Sequence, residues 1–272
     1  MIKELAMLCR EDTNYQLTSC CHIGQTEEVI RLFNRVLQKE RDEKAGLKRE
    51  NRTYRESITS ISHDIRTPLT SAKGYLQMLS SGEISGEKQR DYLLTVSQRV
   101  DDVTEMLNQL FEYARLEAGE FEFSPERFLI TNVFADTISM FYNDFLEKGC
   151  EPELDLIKTP CYIYADKHAV VRMMENLIKN ALVHGTGDYH FSLININGKV
   201  VLTISNRTDS IEEKDIERIF ERFYTTDTSR TRKTTGLGLA IVKQFADQMG
   251  GSIHASLQED IFTVELELGS AV

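Results

Sequence analysis

His63 is followed at once by Asp64 and, one helical turn later, by Thr67, within Ser62-His63-Asp64-Ile65-Arg66-Thr67-Pro68-Leu69-Thr70. A histidine that meets a carboxylate at once is a candidate for chemistry, set against the bland reading of a surface residue on a solvated helix face. The surrounding pattern says how it is presented. Leu47, Tyr54, Ile58, Ile61, Ile65, Leu69, Ala72, Leu76 and Leu79 recur at threes, fours and one seven, the seam of a long helix that packs against partners. His63 lies two residues from both Ile61 and Ile65, which turns it away from that seam and toward water. Thr67 shares its face, and Pro68 removes the N–H that would have bonded the Asp64 carbonyl, loosening the backbone beside the histidine.

Two further groups carry chemistry. After Asp166, Met174, Leu177, Ile178 and Ala181 make an apolar helix face, while Asn176, Lys179, Asn180 and His184 fall on another. A polar stripe on a half-buried helix is equally compatible with a solvated face and with a site. Further on, Gly236-Leu237-Gly238 opens a helix, where free N–H groups can meet phosphate. The eleven residues from Thr225 to Thr235 contain no apolar side chain, so that segment can move, and Arg230, Arg232 and Lys233 within it could reach phosphates.

The elements that hold these groups differ along the chain. Val29-Ile30, Leu32-Phe33 and Val36-Leu37 give residues 1 to 38 a helical pattern that names no ligand. From Lys39 to Arg55 eleven of seventeen residues are charged with signs mixed, which fits a solvated helix running on toward His63. Ser80 to Gly86 is a turn by composition, and Leu93, Val96, Val100, Val103, Leu107, Leu110 and Ala114 then mark a second long helix, with Gly119 as its C-terminal cap. A hairpin with seams this long cannot bury both stripes alone, whereas two copies can as a four-helix bundle, so a homodimer is expected. From Phe121 the texture changes to that of an α+β domain. Val200–Ile204 and Phe262–Leu268 read as strands, and Asn132–Lys148, Lys167–His184 and Leu237–Met249 as helices.

The chain has 272 residues and a formal charge of −11 from 43 acidic and 32 basic side chains, which argues against nucleic acid as a partner. No apolar run approaches membrane-span length and Met1–Cys9 is too short and charged for a signal peptide, so a cytoplasmic protein with no membrane span is expected. Cys9, Cys20, Cys21, Cys150 and Cys161 are an odd, scattered set that suits reduced thiols, and Cys20-Cys21-His22 has no second ligand pair at zinc-finger spacing.

The Ser62–Thr70 string resembles the phospho-acceptor box of sensor histidine kinases, and the partner motifs follow in that family's order over about residues 50 to 270. Asn176-Leu177-Ile178-Lys179-Asn180-Ala181 resembles the N box, Ile219-Phe220-Glu221-Arg222-Phe223-Tyr224 the F box, and Gly236-Leu237-Gly238 the glycine motif of a Bergerat-type ATPase domain shared with gyrase and certain chaperones. The resemblance implies a dimeric helical hairpin followed by an α/β sandwich ATPase domain. It implies that His63 takes the γ-phosphoryl group of ATP and passes it to an aspartate on a separate response regulator, with Asp64 orienting or deprotonating the imidazole. Asn180 would bind Mg²⁺ through its amide oxygen, and Asn176, Lys179, His184, Phe220, Arg230, Gly236 and Gly238 would surround the nucleotide. Thr67 would hold a water for regulator dephosphorylation.

Two departures stand out. Many members carry transmembrane helices before the dimerisation helices, and none is legible here. The motif Asp-x-Gly-x-Gly is matched by Asn206-Arg207-Thr208-Asp209-Ser210, so the group that would accept from the adenine amine is a neutral amide. Weaker base discrimination is expected, relieved by Asn206→Asp if the loop already holds the side chain toward the base. The expected organisation is an input segment over 1–50, a dimerisation and phosphotransfer region over 51–120 and an ATP-binding domain over 121–272. The competing reading is a catalytically weak dimeric scaffold, and a plain ATPase would leave the His63 helix without a use.

Overall fold

The computed structural model describes residues 24–81, 84–226 and 235–269. It divides into two compact units, Met1–Ser60 and Ile61–Val272, and the dividing point lies inside the first helix, α1 (Gly24–Ser80). In the first unit the charged stretch is helical and its described side chains are mostly exposed, with Lys44 paired to Glu40 at 2.8 Å and Lys39 to Glu43 at 3.8 Å across one turn. The side chains of Leu47, Asn51 and Tyr54, and the cysteines Cys9, Cys20 and Cys21 with His22, lie outside the described residues.

In the second unit α1 continues through Pro68, which is buried, to Ser80. Helix α2 (Glu87–Glu117) follows, and Tyr75 and Tyr92 meet edge to face at 5.0 Å where the two helices approach their shared loop. Heptad rows separate cleanly. Ile65, Ala72 and Leu79 on α1, like Val96, Val103 and Leu110 on α2, are buried or half-buried. The alternate rows are not: Leu69 and Leu76 on α1 are 48% and 49% exposed, and Leu93, Val100 and Leu107 on α2 are 51%, 48% and 37% exposed. A single hairpin satisfies one seam per helix and leaves the other to water. Gly119 takes φ +68° and donates to Leu116, while Glu120 N–H reaches Arg115, so the glycine ends α2 as its sequence position suggests.

A pair of antiparallel strands, β1 (Pro125–Leu129) and β3 (Tyr162–Asp166), leads into the remaining domain. Between them run α3 (Ile130–Met140), α4 (Tyr142–Glu147) and β2 (Glu153–Leu156). The expected helix over 132–148 is therefore two helices. Phe141 leaves helical geometry at φ −98°, ψ 9°, and its N–H tightens onto the Ile138 and Ser139 carbonyls, a break that lets both Phe141 and Phe145 enter the core. Next come α5 (Lys167–His184), β4 (Gly187–Ile196), β5 (Lys199–Arg207), a short 3₁₀ turn at Glu213–Asp215, α6 (Gly238–Gln248), β6 (Ser252–Gln258) and β7 (Ile261–Gly269). The five-stranded sheet has the order β2-β4-β5-β7-β6, antiparallel except for β2 beside β4.

Period-two burial fixes the sheet's inner face. Phe191 and Leu193, Leu202 and Ile204, and Val264 and Leu266 all turn inward against α3, α5 and α6, giving two layers around one core. Asp166 caps α5, its carboxylate accepting from the N–H groups of Ala169 and Ser124, both at 2.8 Å. The core also takes Tyr113 and Leu116 from the last turns of α2, so the hairpin and the sheet domain share buried surface.

Candidate functional site

One face of α5 and the start of α6 open onto a cleft of about 600 Å³. Asn176, Lys179, Asn180, Val183 and His184 line it from α5, spaced by threes and fours as one helix face requires. Gly236 and Gly238 line it from the other side. Gly236 holds φ +65°, and a Cβ there would come within 2.7 Å of the Phe223 carbonyl carbon and the Tyr224 oxygen, so the close approach demands glycine. Gly238 begins α6, whose first turn has no side-chain cap, leaving N–H groups to be met by something else. Asn176 is buried, and its Nδ2 has no hydrogen-bond partner among the described residues. An unspent amide donor, a lysine and an uncapped helix start are suited to an anion such as a polyphosphate.

The residues that flank 227–234 are bonded to each other. Phe223 N–H donates to the Gly236 carbonyl at 2.9 Å, tying the residues before and after that segment together. Tyr224, which lines the cleft, donates its hydroxyl to Asp215 at 2.6 Å, and the Arg218 guanidinium lies 4.5 Å over its ring. Burial first, then the bond and charge of Asp215, push the Tyr224 hydroxyl up to about 12. Burial alone would raise Asp215, but the bonds from Tyr224 and the Glu212 N–H, with Lys214 and Arg218 nearby, outweigh it and hold the carboxyl below its usual range.

The third wall comes from α2: Asp101, Asp102, Glu105, Met106 and Gln109. These residues belong to none of the motifs legible in the sequence. Their spacing marks a polar stripe, yet nothing local to α2 says that the stripe faces a cleft rather than water. Asn206 and Phe220 do not line the cleft. Asn206 is buried, with its Nδ2 donating to the Arg207 carbonyl at 3.0 Å, and Phe220 is half-buried beneath the Lys243 ammonium. Where the family pattern has glycines, Thr208 and Ser210 are buried and 3.0 Å apart, and Thr208 also donates to the His184 carbonyl at 3.1 Å. Arg230, Arg232 and Lys233 lie outside the described residues.

His63 is elsewhere, on α1 and exposed. Its Nδ1 lies 3.5 Å from Asp64 Oδ1, and the Thr67 hydroxyl donates back to the His63 carbonyl at 3.1 Å.

A two-layer α/β domain with an asparagine-lined cleft, joined to a helical hairpin bearing an exposed histidine, has the layout of an ATPase module coupled to a phospho-acceptor. Residues 53–119 match the His Kinase A (phospho-acceptor) domain, and residues 165–270 match the Histidine kinase-, DNA gyrase B-, and HSP90-like ATPase. Sensor histidine kinase YcbM of Bacillus subtilis (strain 168) is 28% identical over 97% of this chain and 88% of its own length. Sensor histidine kinase WalK of the same organism is 27% identical over 84% of this chain and 40% of its own. Among solved structures, histidine kinase ThkA in complex with response regulator protein TrrA has a TM-score of 0.64 at 18% identity, covering 79% of this chain and 61% of that one, a likeness of fold. The chain belongs to the sensor histidine kinases of two-component systems. Among the described residues no helix is long and apolar enough to cross a membrane.

Proposed function

We propose that His63 is the phospho-acceptor, and that the cleft along α5 supplies the ATP. The carrying observation is that Asn176, Lys179, Asn180 and His184 share one cleft with Gly236 and Gly238. In this reading Asn176 and Lys179 hold phosphate oxygens and the uncapped start of α6 receives them. His184, at the end of the stripe, contacts the nucleotide beyond the phosphates. Mg²⁺, when bound, would neutralise charge on the transferring group, with the Asn180 amide oxygen as its protein ligand. Among the described residues no group of three or more His, Cys, Asp or Glu is disposed to hold a metal by itself. Asn206 and Phe220 act behind the cleft wall, on the shape of the base pocket.

At the histidine, Asp64 beside Nδ1 keeps the proton there and leaves the Nε2 lone pair outward. Nε2 attacks the γ-phosphorus, the bond to the bridging oxygen breaks, and ADP leaves. The phosphoryl group then passes to an aspartate of a response regulator, the class of partner that ThkA holds in its complex. Thr67, one turn along, orients a water for attack on the regulator's phosphoaspartate, which releases inorganic phosphate and restores the carboxylate. The exposed heptad rows of α1 and α2 support a homodimer closed as a four-helix bundle. We divide the chain into an input segment over 1–50, the dimerisation and phosphotransfer region over 51–120 and the ATP-binding domain over 121–272, and assign it to the cytoplasm, where ATP is available.

Incubation with Mg-ATP tests the assignment. An acid-labile, alkali-stable phosphoadduct is expected, and His63→Gln should abolish it. Label persisting in His63→Gln would overturn it.

A further inference from the structure

The cleft has a wall that opposes the ligand it is built to hold. Lys179 Nζ lies 3.5 Å from Glu105 Oε1 on α2, both side chains about half exposed, so the pair is weak and readily exchanged for phosphate. The same Glu105 oxygen accepts Gln109 Nε2 at 3.1 Å, and Gln109 Oε1 accepts the Thr235 hydroxyl at 2.7 Å, next to the glycine that cradles the cleft. Asp101 and Asp102 line the same wall, Asp102 paired with Arg99 at 3.1 Å. Carboxylates therefore face the amides and lysine of α5 across the space a polyphosphate would enter. The ion-paired Arg172, held by Glu112 of α2 at 3.0 Å and by Glu175 at 2.9 Å, fastens the wall in place without lining the cleft.

We propose that Glu105 is a specificity-determining residue that biases the cleft toward nucleoside diphosphate over triphosphate. This rests on the reading that phosphates sit beside Lys179 and Asn180. The Mg complex of a triphosphate carries one more negative charge than that of a diphosphate, and the added charge meets a carboxylate that must also surrender Lys179. Diphosphate pays a smaller repulsion. The hairpin thus takes part in choosing the nucleotide.

Calorimetric titration of the full chain with Mg-ADP and with the Mg complex of a non-hydrolysable ATP analogue decides it. Glu105→Gln keeps the acceptor for Gln109, is isosteric and sits on a half-exposed position, so folding is preserved. It should tighten the triphosphate analogue about fivefold and ADP under about twofold, an effect that shrinks at high salt. Glu112→Gln, which loosens the same wall away from the cleft, should move both nucleotides alike. An unchanged ratio in Glu105→Gln, or an equal change of ratio in Glu112→Gln, overturns the proposal. Asn180→Ala separates the two levels: if it weakens both nucleotides while Glu105→Gln leaves their ratio alone, only this inference fails. If Asn180→Ala changes neither affinity, the phosphate-site reading fails with it.

Discussion

The Tyr224 hydroxyl donates to the Asp215 carboxylate at 2.6 Å, and that bond joins the cleft wall to the capped 3₁₀ turn behind it. A hydrogen bond to a charged, buried acceptor contributes about 1.5–3 kcal/mol, so Tyr224→Phe should destabilise the domain by roughly that amount. The pH dependence has a definite sign. Asp215 is held low, so its contribution is complete above the usual carboxylate range and is lost as pH falls through its folded pKa. Tyr224 is raised from 10.0 to about 12, so its contribution is complete below 10.0 and is lost as pH climbs through about 12. In Tyr224→Phe the acid unfolding midpoint should move to higher pH, followed by circular dichroism.

The two heptad rows of α2 make opposite predictions. Val103 is 8% exposed, and Val103→Ala should lower stability by about 1–2 kcal/mol whatever the protein concentration. Val100, three residues earlier, is 48% exposed, and Val100→Glu together with Leu107→Glu should leave the secondary structure intact while shifting sedimentation from dimer to monomer. A dimer that persists in the double variant would place the interface elsewhere.

Gly236 and Gly238 should also separate. At Gly236 the left-handed φ and the 2.7 Å approach of backbone atoms make alanine costly, about 1–3 kcal/mol for the conformation before any clash. At Gly238 a Cβ would meet Asn176 Oδ1 at 3.6 Å, an ordinary contact, within a helix that alanine favours. Gly236→Ala should therefore lower the thermal midpoint, while Gly238→Ala should hold or raise it and show its effect only in nucleotide titrations.

The parts of this fold with a period were legible. Lys167–His184 matches α5 at both ends, and Leu237–Met249 overruns α6 by one residue each way, because both helices carry an unbroken apolar face. The strands β5 and β7 were legible from their apolar runs, whereas β4, just as central, was not, because Asp188, His190, Ser192 and Asn195 interrupt its apolar residues. Short or edge strands such as β2 were not, since Glu153 and Asp155 give no apolar alternation to read. Of the site, the stripe from Asn176 to His184 was visible as a face. The α2 wall was not, because Asp101, Glu105 and Gln109 differ from any solvated stripe only in what lies opposite them.

Around Asn206 the family pattern and the structure point in different directions. A motif that normally holds a carboxylate suggests that Asn206→Asp would tighten ATP. The buried Asn206 amide, however, spends Nδ2 on the Arg207 carbonyl at 3.0 Å, and Thr208 and Ser210 fill the positions of the pattern's glycines with a bonded pair of hydroxyls. An aspartate in the same rotamer removes that donor and sets a charged oxygen against a carbonyl oxygen. Losing a buried donor in this way costs about 1–3 kcal/mol. A hydrogen bond from the adenine amine gains only about one kcal/mol by having a charged rather than a neutral acceptor. The first cost equals or exceeds the gain, so Asn206→Asp should lower the thermal midpoint and fail to improve ATP over GTP. Titrating a fluorescent ATP analogue, with GTP as competitor, into both proteins gives the answer. Tighter ATP binding with undiminished stability in the aspartate variant would mean that the Arg207 carbonyl can turn away freely and that the loop is not built around the amide.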